Sequence, residues 1–147
     1  MQGTVETLHT EGDLTEERQD MAAAFRWAER LNMNEAVANH FSLAVDSAGS
    51  KFLMNPNQVH FGRITASDLI LLDANDPTVM EGPEAPDPTA WGLNGSIHRL
   101  CSHARCIMHV HSKAATVLAT LADSALPPID QNSAMFFERQ IVHPFFR

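Results

Sequence analysis

Cysteine, basic residues and long apolar runs are all scarce in this chain, and each scarcity closes a class of reading. Only two cysteines occur in 147 residues. Cys101 and Cys106 are too few for a disulfide framework, so both are read as reduced core thiols, with Cys106 on the buried side of a strand. The Lys and Arg number 10 against 18 Asp and Glu, for a formal net charge of −8. They are also scattered, whereas phosphate binding relies on clustered cations, so no nucleic-acid partner is expected. No run of about 18 apolar residues exists for a membrane helix, and the opening "MQGTVETLHTEGDLTEE" lacks the basic and then apolar order of a signal peptide. A cytoplasmic protein without a membrane partner is the expectation. Internal repeats and low-complexity segments are lacking too.

What is present suits one folded domain: 44% of the residues are hydrophobic and 19% charged, enough to bury a core. Residues 1–12 are polar and read as a flexible N-terminal segment, and residues 13–147 as the domain. Asp13 with Glu16 makes a capping-box pattern, and Met21, Ala24, Phe25, Ala28 and Leu31 recur at helical spacing, which predicts a helix. In "HFSLAVD", Phe41, Leu43 and Val45 alternate with Ser42 and Ala44; "SAGS" then turns and "KFLMN" returns, as in an antiparallel hairpin. "ITASDLILLD" predicts a capped turn and a third, more buried strand. Half of the eight prolines fall in "ANDPTVMEGPEAPDPTAW", read as an extended loop. A second helix is expected from near Thr89, with Trp91, Ile97, Leu100 and Cys101 as its apolar stripe. "LPPIDQNSAMFFERQIVHPFFR" suggests a turn, a short helix and a strand. The fold class is therefore α+β, with helices on a mostly antiparallel sheet.

Chemistry concentrates in "CIMHVHSKAATVLATL". In an extended strand, side chains two apart share a face, so His109 and His111 are placed together, with Cys106, Met108 and Val110 opposite. Two neutral imidazoles from one strand begin a zinc or other transition-metal site, and a working site needs at least a third protein ligand. Ser112 is placed to cap a helix from Lys113 to about Ala122. The partial positive charge at that helix's start favours the neutral imidazole a metal needs.

These blocks together resemble the class II aldolase/adducin domain family from about Asp13 onward. "ANHFSLAV" stands where that family has a Gly-Asn-x-Ser strand. "FLMNPNQVHFGRITASDLILLD" stands where it has a Thr-Pro-Ser-Gly loop, a Leu-Thr-containing turn and an apolar strand. "ARCIMHVHSKAATVLATL" matches its metal-binding strand and helix. The resemblance implies a three-layer α/β/α sandwich around a mostly antiparallel sheet. It also implies a divalent metal, most often Zn, on His109 and His111, with a third His supplied later in the chain. A metal so placed polarises a substrate carbonyl and stabilises the enediolate left by carbon–carbon cleavage. The third histidine and the last strands lie past Arg147, so the sheet is expected to be incomplete at the C-terminus, as in a fragment of a longer protein.

Matching the family residue by residue implies substrate binding by Asn39, Ser42, Asn57 and Thr89, which stand at positions that contact substrate phosphate in the sugar-phosphate aldolases; each is also an ordinary turn, capping or strand-end residue. The catalytic Glu of the sugar-phosphate aldolases falls at Ala90, which leaves the proton-transfer residue unknown. A frequent histidine falls at Asn94, and two glycines fall at Asn39 and Gln58, so a phosphorylated sugar is disfavoured. Glu81, Glu84 and Asp87 lie in the proline loop, where they read as solvated acids. His98 and His103 read as solvated helix-end residues, and His60 as an exposed loop residue. Two functions stay open. One is a metal-dependent aldolase-type lyase, or a related epimerase or dehydratase, acting on a small hydroxy-carbonyl compound. The other is a catalytically silent, adducin-like assembly domain. By the resemblance the chain is expected to form a homo-oligomer, usually a tetramer.

Overall fold

The computed structural model describes residues 13–142. The expected flexible segment at 1–12 and the end of the expected last strand lie outside them. The chain divides into two compact units, Met1–Val110 and His111–Arg147.

The first unit carries helix α1 (Thr15–Arg30), strands β1 (His40–Ala44), β2 (Lys51–Met54) and β3 (Ile70–Asp73), helix α2 (Pro88–Leu100) and strand β4 (Cys106–His109). The sheet runs β3-β2-β1-β4 and every neighbouring pair is antiparallel. The hairpin between β1 and β2 forms as its sequence predicts. Gly49 takes φ +80° in the turn, a conformation open to glycine at no steric cost, and Asp46 fastens the turn by accepting from Ser50 Oγ and Lys51 N.

Period-two alternation splits the sheet's side chains between two layers. Phe41 and Leu53 face α1, where Phe25, Phe41 and Phe61 pack ring on ring with centroids 4.7–4.8 Å apart. Phe52, Met54 and Leu72 face the other way, against Ala90 and Trp91 of α2. Helices thus lie on both faces of an antiparallel sheet, the layered α+β architecture that the sequence implies.

Four local expectations are corrected. No capping box forms at the start of α1: Asp13 accepts from Thr15 N, and Leu14 is the N-cap residue. Leu31 falls past the helix and is 59% exposed, while Ala22 takes its place in the buried stripe. β3 is not the more buried strand, because it forms an edge of the sheet and leaves Leu71 half exposed. Cys106 and Met108 are exposed as well: β4 is the other edge, and the packing of α1 falls mainly on β1 and the turns at Phe61–Arg63 and Ala66–Asp68. Both cysteines are free thiols, as expected.

The second unit holds α3 (Lys113–Ala119) and α4 (Gln131–Ala134). Ser112 is the N-cap residue of α3 without a side-chain bond, and the helix ends three residues before the expected Ala122. Asp130 caps α4 in a reciprocal box with Ser133. No strand follows among the described residues. No described helix is long and apolar enough to cross a membrane.

A candidate substrate cleft over a buried polar layer

A cleft of about 220 Å³ opens in the first unit between the start of β1, the loop after β2 and the start of α2. Asn39, Asn57 and Thr89, three of the four residues matched to substrate contacts, lie in its wall. The fourth, Ser42, is fully buried outside the lining. His40, Asn55, Gln58, Asp87 and Ala90 complete much of the wall, and neither Lys nor Arg contributes to it.

Asp87 shapes one side. Its Oδ1 accepts from Thr89 N at 2.9 Å, from Ala90 N at 3.0 Å and from the Thr89 hydroxyl, which caps α2 and leads the chain out of the proline loop. The Thr89 hydroxyl and the Ala90 amide hold its carboxyl below the usual carboxylate range, so it is anionic near neutrality. Glu81 and Glu84 are exposed, as expected of solvated loop acids. Ala90 is buried, so a carboxylate is missing at that position of the cleft.

The opposite side rests on amides. Asn55 Oδ1 accepts from Phe41 N at 3.0 Å and its Nδ2 donates to the carbonyl of Asn39 at 3.3 Å, tying the ends of β1 and β2 together. Asn39 Oδ1 accepts from Glu35 N. Its Nδ2 is buried and has no hydrogen-bond partner among the described residues, a state that costs about 1–3 kcal/mol for a donor. Gln58 holds φ +61°. This left-handed backbone is costly for a residue with a Cβ, and Gln58 lines the cleft.

Beneath the cleft, the face that α2 turns to the sheet is polar. Ala90, Asn94, Gly95 and His98 are its buried residues, whereas Leu100 of the expected apolar stripe is 76% exposed. Asn94 Nδ2 donates to the carbonyl of Ala90 at 2.9 Å and meets His40 Nδ1 at 2.8 Å. Asn94 Oδ1 accepts from Ser42 Oγ at 2.7 Å, and Ser42 Oγ meets His98 Nε2 at 2.8 Å. His98 is 1% exposed and stacks on Phe52 with centroids 4.4 Å apart. The sequence reading that left it solvated is corrected: it lies on the helix face packed against the sheet. Burial, with the charge of Arg105, pushes its pKa below the usual value. His103 is exposed, as read, and His60 is half buried, its Nδ1 accepting from Gly62 N at 3.2 Å.

His40 is the site residue that sequence reading missed. Its signal was available: two residues before Ser42, it shares that residue's face of β1. In register it sits directly opposite His109, with ring centroids 4.4 Å apart. His109 ends β4, while His111 begins the second unit. Both suit a divalent metal by donor type. No group of three His, Cys, Asp or Glu that could hold an ion occurs among the described residues, so the donor set they offer is short of complete.

Comparison with known proteins places this architecture. The chain is 27% identical over 128 residues to a class 2 aldolase-type protein of Pseudomonas aeruginosa, covering 87% of this chain and 49% of that protein. It is 27% identical over 116 residues to adducin-related protein 1 of Caenorhabditis elegans, covering 76% of this chain and 15% of that one. Among solved structures, an aldolase II superfamily protein from Pseudomonas syringae superposes with a TM-score of 0.74 at 26% identity, covering 89% of this chain and 52% of that one. The chain thus spans about half or less of the length of these relatives. A family model for the class II aldolase and adducin N-terminal domain matches residues 19–146, and the chain belongs to that family.

Proposed function

We propose that this chain is the substrate-binding part of a metal-dependent, aldolase-type lyase that acts on a small hydroxy-carbonyl compound. The observation that carries the reading is the cleft itself, where Asn39, Asn57 and Thr89 converge at the start of α2 over a fully hydrogen-bonded Ser42–Asn94 pair. Amides and hydroxyls in one wall suit a polyhydroxy ligand, whose groups both donate and accept. Family membership and the class 2 aldolase-type relative support the reaction type. His109 and His111 are the proposed metal ligands, with zinc as the first candidate ion. The acting form is a cytoplasmic homo-oligomer.

The adducin-related relative and the vacancy at Ala90 favour a second reading, a silent domain kept for assembly. Elemental analysis of the purified chain beside a His109→Ala, His111→Ala variant separates the two. The lyase reading expects about one zinc or similar ion per chain, lost in the variant, and metal-dependent cleavage of a short ketose. Metal-free protein that forms a stable oligomer and cleaves nothing after zinc is added would establish the assembly reading instead.

A further inference from the structure

Two loops supply much of the cleft wall. One leads from α1 into β1 and gives Val37, Ala38 and Asn39; the other leaves β2 and gives Asn55, Pro56, Asn57 and Gln58. Each loop holds a residue other than glycine in the left-handed backbone, Ala36 at φ +47° and Gln58 at φ +61°. A Cβ disfavours that conformation, which persists only where the surroundings enforce it. At the strand ends Asn55 does so, accepting from Phe41 N and donating to the carbonyl of Asn39, while Asn39 Oδ1 takes Glu35 N. Farther along both loops a second tie occurs between residues outside the cleft lining: the side-chain amide of Asn34 lies 3.1 Å from His60 Nε2.

The other ring nitrogen settles how this tie is made. A backbone N–H can only donate, so His60 Nδ1, which Gly62 N reaches at 3.2 Å, is bare. The neutral ring then carries its proton on Nε2. Asn34 must therefore turn its carbonyl oxygen to the ring, and the two ends of an amide are alike in shape. His60 thus caps the turn Phe61–Arg63 with one nitrogen and holds the loop before β1 with the other. We propose that His60 is a positioning residue for the cleft: its bridge from Gly62 to Asn34 clasps the two loops together, so that their strained backbones are set before a ligand enters and need not be ordered by it. That the ligand is a hydroxy-carbonyl compound rests on the reading of the cleft as the substrate site, and the clasp does not.

Two variants of the whole chain cut the clasp from opposite sides. His60→Asn keeps a side chain that caps well but is too short to reach Asn34, and Asn34→Ala removes the acceptor. Amide hydrogen exchange needs no ligand. His60→Asn is expected to speed exchange about fivefold at Glu35 and Ala38, whose own partners, Asn39 and the Glu35 carbonyl, are unaltered. Asn34→Ala should do the same at Gly62. Unchanged exchange across the gap in both variants overturns the clasp. In long-range proton–nitrogen NMR, with His60 assigned by its loss in His60→Asn, a protonated Nε2 and a bare Nδ1 are expected. A proton on Nδ1 in the unaltered protein overturns the bridge without any variant having to fold. In saturation-transfer NMR, the tighter binder of dihydroxyacetone and its phosphate ester is expected to bind each single variant about fivefold more weakly, and the double variant no more weakly than either. Unchanged binding, or losses that add, overturns the positioning role. If neither compound binds the unaltered chain, the substrate reading of the cleft falls, and the exchange rates still decide the clasp.

Discussion

At the scale of single residues, His98 ties the stability of the fold to pH. Its Nε2 is hydrogen-bonded to Ser42 and its ring lies against Phe52, so the folded chain favours the neutral imidazole. Burial, then the charge of Arg105, pushes its pKa down from the ordinary 6.5, against a smaller opposing effect of Asp46. The unfolded chain takes a proton near that ordinary value and the folded chain resists it. The contribution is thus fully present above about pH 6.5 and is lost as pH falls toward the lower folded value. Urea unfolding is expected to shift to a lower midpoint between about pH 7.5 and about pH 5.5, and the shift should shrink in His98→Gln. Equal shifts in both proteins would assign the effect to other groups. His98 was misread from sequence because the reading followed Trp91, Ile97 and Leu100. The buried stripe is instead Ala90, Asn94 and His98, three residues four apart, and the polarity of Asn94 and His98 hid it from an apolar search.

Elements were legible where one face is apolar and the other polar, and less so elsewhere. Helix α1 and the β1–β2 hairpin emerged from their periods, whereas β3 and β4 were assigned too much burial because a strand's pattern does not reveal that it lies at an edge. The start of α2 was placed near Thr89, one residue from its observed start at Pro88, although Asp87, which caps it, had been read as a solvated loop acid. Asp87 accepts two backbone N–H groups, as an N-cap side chain does. Asp87→Ala is expected to lower stability by about 1 kcal/mol while Asp87→Asn retains most of it, since both residues cap well and alanine does not. Chemical denaturation of the two variants side by side checks this. Equal losses would show that the charge of Asp87, not its capping geometry, holds the start of the helix.

At the scale of the whole molecule, the two units differ in what holds them. The first has a four-stranded sheet with aromatic and aliphatic clusters on its two faces. In the second, α3 has 7 residues and α4 has 4, and Ser133 is the sole buried residue among those described. Helices under about 12 residues are marginal in water unless packing supports them. This is also why the His109 and His111 pattern was legible in sequence while the arrangement of a metal centre was not: the motif straddles the boundary, and strand alternation governs only the residues that remain strand. Local opening follows local packing, so amide hydrogen exchange of the isolated chain is expected to be slowest in β1 and β2 and close to unprotected across Lys113–Ala119. Protection of α3 equal to that of β1 would mean that contacts in solution hold it. If that protection faded on dilution while that of β1 persisted, the contacts would be those of a second copy, and the proposed homo-oligomer would then include the segment that carries His111.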